Sequence, residues 1–555
     1  MKLKRWEKLA EKDELVSDQL KKISDVDLSD SFAADLAFGT AGMRGLLGIG
    51  PNRMNMYTVG RAAEGFAQYL KEAFAQVDNK SIAIAYDNRH MSREFALVTA
   101  KIMSRYGIKS YVFDNPRPTP ELSFTVRNLN CIGGVVITAS HNPKEYNGFK
   151  VYDETGCQLV DHKIIKVIEK IENIVDETEI DLNTHERSLI ETIGDLEDHQ
   201  YLDKVRSIQL RNEAKRIKVV FTSQHGTSFP YLYDLLKEEG YDVVYVKEQS
   251  AYDPDFSNTK SANPEEKISY ELAIEYAKEY DADIILSCDP DADRMGIVVK
   301  HAEDYVYLTG NQGGAILQEY IYSTMKEQGT LTNNKVMFNT VVTSDLGDKI
   351  AEHYGVKVEK TLTGFKYIGE KIEKHNQAGD LEFVFGYEES YGYLIRDFVR
   401  DKDALQACLM VAEAANYYKE NNETLVDVLN RLYDNYGAYY ETQDSFAFKG
   451  MAGKDKIDRI MNYFRNEVDG NIAGKSIIYY DDFLTSRRST GEKLDFPQSN
   501  VLKYYFEDGS WIAIRPSGTE PKVKFYYCIV DETQAAAEIQ YKTMSKYVSE
   551  HINNI

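Results

Sequence analysis

One pattern recurs three times along the chain: a β-branched run, a stretch with helical apolar spacing, a glycine, and a second β-branched run. The first copy is Ser81–Tyr86, Ser92–Arg105, Gly107 and Lys109–Phe113. The second is Ile217–Phe221, Tyr231–Glu239, Gly240 and Asp242–Val246. The third is Lys335–Val342, Leu346–Tyr354, Gly355 and Lys357–Thr361. A helix closed by glycine and followed by another strand is a βαβ crossover, with parallel strands covered by helices. The repeat predicts three similar α/β domains with parallel or mixed sheets.

Each copy then supplies one more strand-like run that ends in a polar loop. Gly133–Thr138 leads into Ala139-Ser140-His141-Asn142-Pro143. Asp283–Ser287 leads into Asp289-Pro290-Asp291-Ala292-Asp293-Arg294. Leu381–Phe385 leads into Gly386-Tyr387-Glu388-Glu389-Ser390. Ligands of open α/β sheets bind beyond the carboxyl ends of strands. Three polar loops at matching places predict one composite site. The remainder, with strands at Lys475–Tyr480 and Lys503–Phe506 and a helical segment from Glu532, reads as a C-terminal α+β domain. The expected boundaries are 1–210, 211–318, 319–438 and 439–555. The acidic, poorly periodic stretch Asp176–Arg187 is expected to be a loop or helix junction.

The chain has 555 residues and a net charge of −23. That field repels nucleic acid, and a site for a phosphorylated substrate must carry local cations. Cys131, Cys157, Cys288, Cys408 and Cys528 are scattered, odd in number and without a Cys-x-x-Cys pair, which suits a reducing compartment. Met1–Leu20 is charged and lacks the apolar core of a signal peptide. No apolar run approaches the ~18 residues of a membrane helix. A cytoplasmic protein without a membrane partner is expected.

The loops carry chemistry. Ser140 on a tight strand-end loop beside His141 is a candidate nucleophile, with Lys150 as a general base or phosphate contact. The alternative is a polar turn in which Ser140 and Asn142 bond the local backbone. Asp289, Asp291 and Asp293 alternate on an extended segment, so their carboxylates share one side and repel unless a cation lies between them. Hard oxygen ligands select Mg²⁺, Mn²⁺ or Ca²⁺ over zinc. An EF-hand counted from Asp289 needs glycine at position six and glutamate at position twelve, where Arg294 and His301 stand. Glu388 and Ser390 offer a carboxylate and a hydroxyl for sugar hydroxyls, and Thr363-Gly364-Phe365-Lys366 offers further contacts. Arg515-Pro516-Ser517-Gly518-Thr519 combines a guanidinium, hydroxyls and a glycine, the make-up of an anion nest; the alternative is a hairpin turn.

Taken in order, these four loops resemble the α-D-phosphohexomutase superfamily, which contains phosphoglucomutases and phosphomannomutases. The resemblance runs from about Phe38 to the C-terminus, and Gly39-Thr40-Ala41-Gly42-Met43-Arg44-Gly45 matches that family's early Arg-Gly segment. It implies four domains around a central cleft, with Arg44 lining the site and Ser140 carrying a transferable phosphoryl group. It implies Mg²⁺ on Asp289, Asp291 and Asp293 together with the group on Ser140. Substrate contacts would come from Arg294, Gly364, Phe365, Glu388, Ser390 and Lys402. Arg515, Ser517, Gly518 and Thr519 would grip the phosphate that is not reacting. The implied reaction interconverts glucose 1-phosphate and glucose 6-phosphate through glucose 1,6-bisphosphate, in a monomer or homodimer.

There are departures. Tyr387 is inserted where the family's sugar loop usually reads Gly-Glu-x-Ser, and Gly392 stands where bacterial mannose/glucose enzymes often have histidine. The insertion and Asp401-Lys402-Asp403 resemble a branch holding both phosphoglucomutases and phosphopentomutases, so mannose and pentose phosphates stay open as substrates. A two-metal phosphatase would need clustered histidines, and the ten present form no H-x-H or H-x-x-x-H pair. A non-catalytic sugar-phosphate binder would not need the serine or the three aspartates.

Overall fold

The computed structural model describes residues 2–448, 450–468, 470–517 and 522–555. The chain divides into two bodies, one formed by Met1–Gly310 with Phe365–Thr424, the other by Asn311–Gly364 with Leu425–Ile555.

In the first body, a seven-stranded sheet runs in the order Phe38–Gly39, Gly42–Leu46, Tyr146–Asp153, Gly133–Ile137, Ser81–Tyr86, Lys109–Phe113, Ile190–Ile193. Ser81–Tyr86 is parallel to both Lys109–Phe113 and Gly133–Ile137, as the crossover requires. Its six residues are all buried, because helices cover both faces of such a strand. Tyr146–Asp153 returns antiparallel beside Gly133–Ile137 and closes the serine loop between them. A five-stranded sheet follows in the order Asp304–Leu308, Met295–His301, Ile284–Cys288, Lys218–Thr222, Asp242–Tyr245. Ile284–Cys288 and Met295–His301 form a hairpin whose tip is the three-aspartate loop.

The predicted glycine stops hold at Gly107, Gly240 and Gly355, with φ of 73°, 90° and 71°, a left-handed conformation that glycine adopts without a Cβ clash. In the third repeat, Lys335–Thr340 and Lys357–Thr361 are parallel neighbours, and Glu382–Glu388 pairs antiparallel with Gly392–Leu394. Glu382–Glu388 also runs three residues beyond the expected end at Phe385, because Gly386, Tyr387 and Glu388 pair with Leu394, Tyr393 and Gly392.

The C-terminal sheet of the second body is antiparallel: Ala438–Ala447, Lys522–Asp531, Trp511–Pro516, Leu502–Phe506, Lys475–Asp482, Asn471–Ile472, with Arg487–Arg488 paired to Lys475–Asp482. Helices Gly450–Asn466 and Gln534–Asn554 contribute to its core, which includes Ile460, Phe464, Phe525, Met544 and Val548.

At the N-terminus, three helices, Lys2–Ala10, Glu14–Lys22 and Asp25–Ala33, precede the first sheet. Trp6 is buried among them against Phe32 and Tyr57, and its indole donates to Glu177 Oε1 at 2.8 Å. The acidic stretch expected as a loop contains a 3₁₀ turn at Glu177–Glu179 that supplies this acceptor.

Candidate active site

Ser140 lies three residues past the strand Gly133–Ile137, with φ of 50°. Its amide donates to Thr138 Oγ1 at 2.8 Å, and the Asn142 amide donates to Ala139 O at 3.1 Å. The strand opposite must come very close here. A Cβ on Gly148 would lie 2.4 Å from Thr138 O and 3.0 Å from Met43 O, so only glycine leaves room. Ser140 Oγ donates to Asp289 Oδ2 at 2.7 Å and sits 3.2 Å from His141 Nδ1. Arg44, on the strand Gly42–Leu46 and paired with Gly148, donates to Asn142 Oδ1 at 2.9 Å.

All three aspartates are buried. Asp289 Oδ1 accepts the amides of Asp293 and Arg294, which folds the loop over its own first carboxylate. Asp291 Oδ2 accepts from Lys150 Nζ and Thr119 Oγ1, both at 3.2 Å, and Asp291 O accepts the Thr119 amide at 2.8 Å. Asp293 Oδ2 lies 3.0 Å from Lys402 Nζ and 3.9 Å from Lys150 Nζ. Among the described residues, these are the one group of three potential metal donors, with ligand oxygens all within 4.8 Å of one another. Asp291 Oδ1 and Asp293 Oδ1 are buried without a hydrogen-bond partner. Hard oxygen donors left unsatisfied in this way fit Mg²⁺ or a similar divalent cation.

The protonation pattern points the same way. Burial, then the charges of Asp291 and Asp293, push the Asp289 carboxyl well above the usual range. Burial and Asp291 also raise Asp293. Burial would raise Asp291 too, but Lys150, the bond with Asp289 and Lys402 hold it below the usual range. The buried carboxylates thus repel one another, and a cation between them would relieve that repulsion. Burial, with Arg294, Arg44 and Arg89 nearby, drives His141 well below the usual imidazole range, so it is neutral at pH 7. Burial would lower Lys150, yet Asp291 and Asp293 raise it above the usual lysine range, so it remains an ammonium.

Contacts within the first body join this cluster to the loop after Glu388. Arg294 forms a β-bridge with Gly392, and the Met295 amide donates to Tyr391 O at 3.0 Å. Arg294 Nη1 pairs with Glu265 Oε1 at 2.8 Å. Glu388 is buried at the end of its strand, and its charge reaches both Arg294 and Lys402. Lys402 also explains Gly392. A Cβ at Gly392 would lie 2.2 Å from Lys402 Cδ, so the lysine chain occupies the space a larger residue would need. Lys402 Nζ lies 5.7 Å from the centre of the Phe365 ring. Ser390 is half-buried two residues past Glu388. The inserted Tyr387 is buried and stacks on Phe385.

The first body thus brings together Ser140, His141, Lys150, Arg44, Asp289, Asp291, Asp293, Arg294, Phe365, Glu388 and Lys402. Gly364, with φ of 120°, belongs to the second body. So do Arg515, at the end of the strand Trp511–Pro516, and Ser517, whose amide donates to Lys522 O at 2.7 Å. Gly518 and Thr519 lie outside the described residues. Sequence reasoning missed Thr119, Glu265 and Arg89, each of which supports a named site residue. Arg89 carried a usable signal, since Asp87-Asn88-Arg89 also follows the carboxyl end of a repeat strand.

Comparison with known proteins identifies the family. Four family models match in order: phosphoglucomutase/phosphomannomutase α/β/α domain I over residues 35–179, domain II over 199–302, domain III over 309–436, and the C-terminal domain over 468–544. A phosphoglucomutase of Staphylococcus haemolyticus is 39% identical over 521 residues, covering 92% of this chain and 93% of its own. Among solved structures, a phosphoglucomutase/phosphomannomutase family protein of Burkholderia thailandensis superposes with a TM-score of 0.68 at 17% identity, covering 93% and 97% of the two chains. Parafusin, a phosphoglucomutase of Paramecium in its open form, gives 0.63 at 20% identity over 94% of each chain. The two structures share the fold.

Proposed function

The chain belongs to the phosphoglucomutase/phosphomannomutase family, and from that premise we propose that it interconverts glucose 1-phosphate and glucose 6-phosphate through a phosphorylated Ser140. The observation that carries this reading is the 2.7 Å bond from Ser140 Oγ to Asp289 Oδ2, inside a pocket of three buried carboxylates with unsatisfied oxygens. A hydroxyl held against a cation site is placed to carry a phosphoryl group.

Asp289, Asp291 and Asp293 would hold Mg²⁺ together with an oxygen of the group on Ser140. Bound there, the ion offsets negative charge on the transferring phosphoryl group. The residues do the rest. As the Ser140 Oγ–P bond breaks, the free sugar hydroxyl forms the new O–P bond. Its proton passes to a base, and Ser140 Oγ regains one. His141, held neutral, accepts; Lys150, held as an ammonium, donates. The resulting glucose 1,6-bisphosphate turns over, and its other phosphoryl returns to Ser140. Arg44 and Arg294 supply local positive charge against the protein's negative field. Gly364, Phe365, Glu388, Ser390 and Lys402 hold the sugar. Arg515, Ser517, Gly518 and Thr519 grip the phosphate at rest.

We assign four domains at 1–210, 211–318, 319–438 and 439–555. Among the described residues, no helix is long and apolar enough to cross a membrane. All five cysteines are buried thiols, as suits a cytoplasmic enzyme. The test is a coupled assay with glucose 1-phosphate, mannose 1-phosphate and ribose 1-phosphate side by side. The highest kcat/KM is expected for glucose 1-phosphate. A preference for mannose or ribose would reassign the sugar, and no turnover of any of the three would refute the reaction.

A further inference from the structure

The turn that presents Ser140 is held by more than its own hydrogen bonds. Ser140 is left-handed, a conformation that an L-residue with a side chain holds only when its surroundings impose it. Four carbonyls of the loop converge on one guanidinium. Arg89 Nη2 donates to Ser140 O and Asn142 O, each at 2.5 Å. Arg89 Nη1 donates to Pro143 O at 2.8 Å and Tyr146 O at 3.1 Å. The third edge of the guanidinium faces Asp87, with Nε 3.1 Å from Oδ2. Neither side chain of this pair is solvent-exposed.

Asp87 is itself fixed. Its Oδ1 accepts the Arg89 amide at 2.9 Å and Ser92 Oγ at 2.6 Å, and its own amide donates to Ile137 O at 3.0 Å. Ile137 ends the strand that leads into the serine loop, so the clamp and the loop hang from adjacent strands. The face of the guanidinium lies 5.0 Å from the Phe256 ring centre, which excludes water from that side. The planar fork donates to four carbonyls while its charge lies beside the Asp87 carboxylate; a lysine offers three donors from a single point.

We propose that Arg89 is a positioning residue for phosphoryl transfer: it holds the Ser140 turn in its left-handed form and so sets Ser140 Oγ against Asp289. Arg89 bonds the serine loop through backbone oxygens alone, which makes it distinct from the residues that would meet the sugar or its phosphates. The inference rests on Ser140 being the phosphoryl carrier. Misplacing a reacting group by about 1 Å costs roughly 100-fold in rate.

The test compares wild type with Arg89→Lys and with Asp87→Asn, which weakens the anchor and covers the case in which the lysine variant fails to fold. Three quantities are measured with saturating glucose 1,6-bisphosphate: kcat, KM for glucose 1-phosphate, and hydrogen exchange of peptides across the chain. The expected result for Arg89→Lys is a fall in kcat of ~100-fold with KM changed less than about threefold. Exchange should speed up in the segment 138–148 and nowhere else. Asp87→Asn should show the same pattern with a smaller fall in kcat, about tenfold. A kcat within twofold of wild type in a folded variant overturns the proposal. So does a loss of activity that tracks faster exchange across the whole first domain, since that is a folding defect. If wild type itself shows neither turnover nor phosphate on Ser140, the carrier assignment has failed, and the positioning role falls with it.

Discussion

Ser140 Oγ and Asp289 Oδ2 meet at 2.7 Å across 149 residues of sequence. The serine follows a strand of the first sheet, and the aspartate follows a strand of the second. The bond therefore couples loops of two different sheets. It also places the hydroxyl at the edge of a buried cluster of mutually repelling carboxylates. Activity should vanish in excess EDTA and return with Mg²⁺, while Zn²⁺ restores little of it. Turnover that survives exhaustive chelation would make the aspartate loop a structural turn.

Gly226 tests the same loop from outside. A Cβ there would lie 2.4 Å from Pro290 Cα and 2.5 Å from Pro290 O, between the first two aspartates. The Thr227 amide and hydroxyl also hold Pro290 O, at 2.8 and 3.0 Å, so the loop cannot simply move away. Gly226→Ala should raise the Mg²⁺ concentration for half-maximal activity by roughly 10–100-fold, the usual effect of disturbing a metal's supporting shell. KM for the sugar phosphate should change much less. A Mg²⁺ titration at saturating substrate decides it.

Arg515 is assigned to the phosphate that does not react, which is present in ground and transition states alike. Losing a charge-assisted bond costs about 1.5–3 kcal/mol, so Arg515→Ala should raise KM by ~10–150-fold. Added glucose 1,6-bisphosphate should partly restore its turnover by rephosphorylating enzyme whose intermediate escaped. Steady-state kinetics across a bisphosphate titration would show this. A wild-type KM with no bisphosphate dependence would mean an ordinary hairpin turn.

Lys503 predicts a pH dependence of stability. It is buried in the C-terminal sheet, with Nζ 3.9 Å from the Trp511 ring centre and 4.8 Å from that of Tyr505. Burial pulls its ammonium down to about 8; Asp345 opposes this and Lys360 adds to it. Below pH 8 the lysine is charged in both folded and unfolded chains, and the folded state bears the full cost of the buried charge. Between pH 8 and about 10.5 the folded form has lost the proton and the unfolded form has not. Stability from this group therefore rises across that window, by ~1.4 kcal/mol per pH unit at most. Lys503→Met should be more stable than wild type by about 1–3 kcal/mol at pH 7, and the gap should close above pH 8. Urea unfolding followed by Trp511 fluorescence, with Trp6→Phe in both proteins, measures the gap. A gap independent of pH would refute the assignment.

The repeats were legible because each rests on local signals: β-branched runs, helical spacing and a stop glycine whose left-handed φ the structure bears out at Gly107, Gly240 and Gly355. The aspartate cluster was legible for the same reason, since its three carboxylates lie within five residues of one another. Thr119 and Glu265 were not, and Arg89 showed only its place after a repeat strand. Each reaches its partner from a distant segment, and a single polar residue after a strand carries no sign of where its side chain will go. The overrun of Glu382–Glu388 was hidden because its last residues are set by pairing with Gly392–Leu394 and not by their own propensity. Gly392 itself read only as a missing histidine. The structure gives the reason in the path of Lys402, which no spacing rule contains.

The most direct test of the account is the chemical fate of Ser140. Protein incubated with glucose 1,6-bisphosphate should gain one phosphoryl group by intact mass, and peptide mapping should place it on Ser140. When the phosphoryl group on Ser140 carries an isotopic label, adding unlabelled glucose 1-phosphate should pass the label to the sugar and replace it with unlabelled phosphate within the turnover time. Ser140→Ala should remain folded, take up no phosphate and show no mutase turnover. Phosphate on another residue, or full turnover by the alanine variant, would contradict the account.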